Sequence, residues 1–192
     1  LFLAACKGFL NHKEEVKALA NPKESRDTTL QFALANISAP VLIDNIFYDF
    51  DKATLRDSSK VALDKLVGIL NDNPNVTIEL AAHTDYLGSA AYNKGLSQRR
   101  AESVIRYLIA HGIAADRLTP VGYGKERPRR VNRRLAARYT WLKEGDTLTE
   151  PFIKALDAKR QDICNQLNRR TEFSVLRTTY GLFDKDGKLK QM

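Results

Sequence analysis

The chain of 192 residues is 43% hydrophobic and 28% charged, a balance that allows a buried core and excludes a disordered chain. Its formal net charge of +8 suits nucleic acid, an anionic lipid surface or an acidic polymer, so the sign alone selects no partner. Two cysteines, Cys6 and Cys164, are too few for a disulfide framework and lack the spacing of a metal site.

The first residues, "LFLAACKGFL", allow two interpretations. Leu3-Ala4-Ala5-Cys6 is similar to a lipoprotein lipobox, which would make Cys6 a lipidated residue. A signal peptide needs an apolar region of about 7 to 15 residues, and too few residues precede Cys6 to supply one. We therefore favour a strand followed by a turn at Lys7-Gly8. Because no initiator Met is present, we expect a piece of a longer protein.

The next segments alternate between polar breaks and regular patterns. "NPKESRDT" at 21–28 is a turn-rich break, and "TLQFALA" after it predicts a short strand. From Val41 the stretch "VLIDNIFYDFDK" alternates as a strand that enters a loop. "RDSSKVALDKLVGILNDNP" has apolar residues at helical spacing, offers Asp57, Ser58 and Ser59 as caps, and ends before Pro74.

Strands and helices continue to alternate in the second half. "NVTIELAAH" predicts a strand, and a helix follows from near Ser89 to a left-handed cap at Gly112. "LTPVGYG" predicts a third, short strand, after which the regularity lapses. "PFIKALDAKRQDICNQLNRR" predicts one helix with Pro151 in its first turn, and "TEFSVLRTTY" predicts the last strand.

This order of elements predicts an α+β fold, a β-α-β-α-β-(insert)-α-β sandwich with a mixed sheet and helices packed on one face. Residues 1–38 form an N-terminal β segment and linker in this prediction. Residues 39–180 form the main domain, with an insert at about 125–165, and residues 181–192 form a polar tail.

A possible binding pair lies in "AAHTDYLGSAAYNKGLSQRRAESVIRYL". Asp85 should follow the end of a strand, where open sheets present ligand-binding groups, and Arg100 should lie on the next helix. A carboxylate and a guanidinium that face one cavity suit a zwitterion, since Asp85 takes an ammonium while Arg100 grips a carboxylate. The alternative is an ordinary salt bridge, worth at most ~1 kcal/mol if exposed.

Four motifs occur in a characteristic order: "IFYDFDK", "AAHTDYLGSAAYNKGLSQRRAESVIRYL", "LTPVGYG" and "NQLNRRTEFSV". Together they resemble the peptidoglycan-binding OmpA C-terminal-like domain, which OmpA, Pal and MotB proteins share. The resemblance covers roughly residues 41–178. It is interrupted by a longer segment between Lys125 and Asn165 than the shortest members carry.

The resemblance implies that Asp85 and Arg100 hold the diaminopimelate of the peptidoglycan stem peptide. It implies further ligand-binding roles for Asp49, Thr84, Asn93 and Arg170, the last preferred to Arg169. Gly88 and Leu96 are expected to shape the loop.

The function implied is non-catalytic anchoring of the outer membrane, or of an envelope protein, to the cell wall. The expected location is the periplasmic face of the outer membrane. The expected partners are the stem peptide and, through other parts of the protein, the outer membrane, while the oligomeric state stays open. A MotB-like stator module, which has the same fold, is the alternative.

An enzyme is a weaker hypothesis. His83 lies beside Thr84 and Asp85, yet no serine or cysteine nucleophile with a supporting motif can be placed next to it. His12 and His111 lack ligand spacing to other metal-binding residues, and neither glycine-rich phosphate motif is present. We therefore expect no metal and no cofactor.

Basic residues are concentrated after the third strand. Seven lie among the fourteen residues from Lys125 to Arg138, against one acid, Glu126. Such a cluster is typical of a phosphate-binding surface, but no aromatic residues alternate with these arginines as base stacking requires. The favoured interpretation is a solvated, flexible loop, and a patch that faces acidic wall polymer or lipid is an alternative. Nucleic acid is not an expected partner, and a basic nucleic-acid-binding domain is the least favoured alternative.

The first forty residues do not share the domain's motifs. "CKGFLNHKEEV" and "DTTLQFALA" are loosely similar to the closing strands of a carboxypeptidase-regulatory-like β-sandwich module. That resemblance implies that Cys6 is a buried strand residue. A disulfide between Cys6 and Cys164 is compatible with an oxidising periplasm, but the sequence does not place the two within bonding distance.

Overall fold

The computed structural model of the chain describes residues 2–14, 34, 36–43, 46, 48 and 53–182. The predicted strand "TLQFALA" lies almost entirely outside the described residues, as does most of the polar tail. No helix in the described part of the chain is long and apolar enough to cross a membrane.

A small hairpin forms near the start of the chain. Strands β1 (Phe2–Ala4) and β2 (His12–Glu14) pair antiparallel. The predicted turn at Lys7-Gly8 is present, and the φ of 85° at Gly8 is in the left-handed region that favours glycine. Cys6 is exposed and lies after β1, so the expectation of a buried strand residue is wrong.

The main sheet is four-stranded and mixed, as predicted. Its strands are β3 (Val41–Leu42), β4 (Thr77–His83), β5 (Leu118–Gly124) and β6 (Thr171–Arg177), in the spatial order β3-β6-β4-β5. β4 is parallel to β5 and antiparallel to β6. Of the strand predicted from Val41, the structure has β3 at Val41–Leu42 and an isolated bridge between Tyr48 and Leu55, while much of the segment between them lies outside the described residues.

Helices α1 (Lys60–Asp72) and α2 (Ala90–Ala110) pack against the same face of this sheet, as predicted. The core between them is formed by leucines of α1 and aliphatic side chains of α2, β4 and β6, including Leu63, Leu66, Leu70, Ile78, Leu80, Val104, Leu108 and Phe173. Ser89 caps α2, its Oγ accepting a hydrogen bond from Tyr92 N–H at 3.2 Å. Of the cap candidates for α1, Ser59 occupies the N-cap position, but its side chain makes no capping hydrogen bond.

Strand β5 approaches α2 so closely that glycine is required at the contact. A Cβ on Gly122 would lie 2.1 Å from the backbone nitrogen of Gln98. Side chains of α2 fix the strand, because Gln98 Oε1 accepts from Gly122 N–H and Ser97 Oγ accepts from Gly124 N–H, both at 2.8 Å. This contact sets the position of α2, and with it that of Arg100, relative to the sheet.

Residues 125–168, called here the inserted module, fold around a second core. Helices α3 (Arg133–Arg138), α4 (Glu150–Lys154) and α5 (Ala158–Asn168) surround buried side chains of Val131, Leu142, Leu148, Ile153 and Cys164. The expectation of a flexible loop at 125–138 is therefore wrong. Backbone hydrogen bonds also hold this segment, for example Val131 N–H to Asp146 O at 2.7 Å.

The helix predicted from Pro151 is two helices. α4 ends at Lys154, and Asp157 starts α5 by accepting a hydrogen bond from Arg160 N–H at 3.0 Å. Cys164 is buried in α5 and its thiol is free, as is that of Cys6, so the two form no disulfide. Burial raises the pKa of the Cys164 thiol to about 11, which keeps it protonated.

Candidate functional site

A half-open cavity of about 410 Å³ lies where the carboxyl end of β4 meets the amino end of β6. β4, β6, α2 and α5 together with the segment before α1 line it with Ile46, Tyr48, Ala82, His83, Arg100, Gln166, Arg169, Arg170 and Thr171. Three arginines, Arg100, Arg169 and Arg170, thus line one space. Such a lining favours a ligand that carries carboxylates.

Arg100, predicted from the sequence, lies in this cavity. Its guanidinium carbon is 4.8 Å from the centre of the Tyr48 ring, within the range of a cation–π contact. The Tyr48 hydroxyl is 3.2 Å from Thr171 Oγ1, which fixes the ring against β6. Tyr48 therefore positions Arg100, a role that the sequence did not indicate because Tyr48 appeared only as one residue of an alternating strand.

Asp85, the other half of the predicted pair, lies in the loop between β4 and α2. Its Oδ1 accepts a hydrogen bond from Leu87 N–H at 3.1 Å, which closes an Asx turn. Its Oδ2 pairs with Arg169 Nη1 at 2.5 Å. The structure thus pairs Asp85 with Arg169, whereas the resemblance gave the ligand-binding role in this motif to Arg170.

Arg170 points to a different partner. Its Nε lies 3.1 Å from Glu172 Oε2, and its side chain is only 8% exposed. The two arginines diverge because Arg169 ends α5 while Arg170 leads into β6. Nothing in the motif "NRR" itself indicates which arginine pairs with Asp85 and which with the buried Glu172.

A buried charge network lies beneath the cavity, on the sheet face opposite α1 and α2. Glu172 is 8% exposed, contacts Arg170, and lies 3.4 Å from Arg129 Nη1. Burial alone would raise the pKa of Glu172, but neighbouring hydrogen bonds and cations outweigh it and lower the pKa to about 2. The sequence analysis missed Glu172, since it reads as one residue of an alternating strand.

His83 lines the cavity and also belongs to this network. It is 2% exposed, and its Nε2 lies 3.1 Å from Glu172 Oε1 without the geometry of a hydrogen bond. Burial lowers the pKa of His83, so the ring is neutral near pH 7. With His83 neutral, the charge on Glu172 is balanced mainly by Arg170 and Arg129.

Two predicted ligand contacts, Thr84 and Asn93, are instead buried in the loop. Thr84 is 5% exposed and its hydroxyl donates to Asp85 O, while Asn93 is 3% exposed and its amide donates to Leu87 O at 2.7 Å. Both side chains are thus used in holding the loop around Asp85. A direct contact with a ligand does not fit this burial.

The two residues expected to shape the loop lie in the loop and in α2. Gly88 has a φ of 88°, which favours glycine, and Leu96 is buried. Lys125, not identified from the sequence, also holds the loop, donating from Nζ to Tyr86 O at 3.2 Å and to Gly88 O at 3.0 Å. Asp49 lies outside the described residues. Within the described ranges no group of three His, Cys, Asp or Glu could hold a metal ion.

Comparison with known proteins matches the OmpA family to residues 47–140. Outer membrane porin F of Pseudomonas fluorescens is 39% identical over 102 residues, which are 48% of this chain and 31% of that protein. Outer membrane protein A of Escherichia fergusonii is 42% identical over 89 residues, or 45% of this chain and 37% of that protein. The matched part of the chain thus spans about a third of the length of each relative.

The comparison also includes solved structures. The peptidoglycan-associated lipoprotein of Burkholderia pseudomallei aligns with a TM-score of 0.48 and 24% identity. The alignment covers 68% of this chain and 87% of that protein.

Proposed function

We propose, because the OmpA family matches residues 47–140, that the chain binds peptidoglycan without catalysing a reaction and anchors an envelope protein to the cell wall. We place the contact at the diamino acid of the stem peptide, in the cavity lined by Arg100. The related outer membrane proteins support a position at the periplasmic face of the outer membrane.

One observation carries the proposal: Arg169 lines the cavity and joins it to the Asp85 carboxylate. Diaminopimelate ends in an ammonium and a carboxylate on one carbon. The ligand carboxylate would pair with Arg100 through two parallel hydrogen bonds, and the ammonium would replace the Arg169 guanidinium on Asp85. Arg169 is 41% exposed, so its side chain has room to move and to meet a second carboxylate.

A single site of this kind should bind weakly, with ~4 to 8 kcal/mol, because the ligand is small and its charges are well hydrated. Weak binding is sufficient for anchoring. The wall presents stem peptides as a dense array, so many anchored copies hold by effective concentration. A MotB-like stator module would use the same contact, and the present site does not distinguish it from an outer-membrane anchor.

Co-sedimentation with purified peptidoglycan sacculi tests the proposal. We expect Asp85→Ala and Arg100→Ala each to lose at least about tenfold in apparent affinity, since a hydrogen bond to a charged group contributes roughly 1.5–3 kcal/mol. Asp64→Ala and Arg106→Ala, which make the same charge changes on exposed positions of α1 and α2, serve as controls and should bind like the parent. Parental sedimentation of both site variants would show that the site is wrongly assigned.

A further inference from the structure

The outer face of α3 carries arginines that lack carboxylate partners. The other arginines in or next to the inserted module have different partners: Arg129 and Arg170 pair with Glu172, Arg160 with Asp157, and Arg169 with Asp85. Arg127 has no carboxylate partner among the described residues and lies 3.6 Å over the Tyr123 ring. In the described part of the chain, no carboxylate lies within ion-pair distance of the exposed side chains of Arg130, Arg133, Arg134 and Arg138. Arg133, Arg134 and Arg138 lie on α3 and Arg130 lies just before it, and the four are called here the α3 arginines.

This concentration of charge is local. Between residues 125 and 170 the chain has 13 Lys and Arg against six Asp and Glu, so nearly all of the net charge of +8 lies in this segment. Like charges one turn apart on a helix repel each other, and α3 is only six residues long. A surface of this kind favours a polyanionic ligand.

The residues around the α3 arginines indicate which class of polyanion this surface suits. The exposed large hydrophobic residues of the described chain all lie outside the inserted module, so no apolar wedge accompanies the arginines into a bilayer. Tyr139 and Trp141 pack against the second core and do not form an open stacking platform for bases. The ligand is therefore a polyanion that the arginines bind through charge, without apolar insertion or base stacking.

The position of α3 links these arginines to the cavity. A groove of about 250 Å³ is lined by Leu135 of α3 and by Arg129, and it shares Gln166, Arg169 and Arg170 with the cavity that holds Arg100. Leu135 faces this groove while the α3 arginines face outward. A polymer that fills the cavity and continues along this groove would pass close to the α3 arginines.

We propose that the α3 arginines form a second contact with the cell wall, made to carboxylates of stem peptides neighbouring the one in the cavity. This inference rests on the proposed function and adds a second surface to it. The cavity binds one diamino acid, and the α3 arginines add affinity for the polymer. This added affinity is absent when the ligand is a single soluble stem peptide.

The test compares binding to sacculi with binding to a soluble stem tripeptide that ends in diaminopimelate. We expect the triple variant Arg133→Gln, Arg134→Gln, Arg138→Gln to lose about tenfold or more for sacculi and to have a shallower dependence of affinity on salt. Its affinity for the tripeptide should stay within about twofold of the parent. Lys65→Gln, Arg106→Gln, Arg177→Gln removes the same charge at exposed positions outside the module and should leave both affinities unchanged.

Two results would overturn the inference: a triple variant that binds sacculi with the parent's affinity and salt dependence, or a parent that binds phosphatidylglycerol vesicles or duplex DNA through these arginines more tightly than sacculi. Failure of the proposed function is separate, because it would appear as an absence of tripeptide binding by the parent itself.

Discussion

Gly122→Ala is expected to lower the free energy of unfolding by about 3 kcal/mol, near the upper end of the usual cost of overpacking. The added Cβ would lie 2.1 Å from the backbone nitrogen and 2.5 Å from the Cα of Gln98. These are backbone atoms, so β5 and α2 have to move apart. That movement breaks the hydrogen bond from Gly122 N–H to Gln98 Oε1.

A matched substitution separates this contact from a general effect of alanine. Gly68 lies inside α1, and a Cβ there would meet no atom within 4 Å. Gly68→Ala is expected to raise the free energy of unfolding by roughly 0.5–1 kcal/mol, because alanine favours the helix. Urea denaturation of both variants measures the difference. Equal stability of the two variants would show that β5 and α2 are not in close contact.

The second large effect on the free energy of unfolding is expected when the charge of Glu172 is removed. Glu172→Gln should lower the free energy of unfolding at pH 7 by roughly 3 kcal/mol, since it leaves the buried Arg170 and the partly buried Arg129 without their anion. Glu126→Gln breaks a pair with Lys94 in which both side chains are about half exposed, and should cost at most about 1 kcal/mol. Thermal or urea unfolding of the two variants provides the comparison.

The lowered pKa of Glu172 predicts that the free energy of unfolding depends on pH. The pKa of Glu172 is about 2 in the folded chain against an ordinary value of 4.5, so the folded state favours the ionised form. The resulting stability, on the order of 3 kcal/mol, is fully present above about pH 4.5 and is lost as the pH falls towards 2. Glu172→Gln should flatten the stability profile in this window. A profile that keeps the parent's slope would contradict the proposed role of Glu172.

The sequence predicted those elements whose pattern is determined locally. β4, β5 and β6 follow from short apolar runs, and α2 follows from its apolar stripe, its Ser89 cap and Gly112. The two helices α4 and α5 were predicted as one because the apolar spacing continues across the break. The Asp157 cap that starts α5 was read as one more helical residue.

The candidate site was predictable only in part. Arg100 was identified by its motif, and the structure places it in the cavity. The ion pair between Asp85 and Arg169 was not predicted, because it depends on how α5 ends and β6 begins. Glu172 and the packing of the inserted module depend on contacts between residues distant in sequence, and such contacts leave no local pattern.

The central claim, that the cavity binds the diamino acid of a stem peptide, is tested most directly by NMR. A soluble stem tripeptide ending in diaminopimelate is titrated into the isotope-labelled chain, with a tripeptide ending in lysine as the control. We expect saturable shifts centred on Asp85, Arg100 and Arg169, with a Kd in the micromolar to millimolar range and weaker binding of the lysine peptide, which lacks the second carboxylate. Shifts centred elsewhere, or equal binding of the two peptides, would contradict the claim.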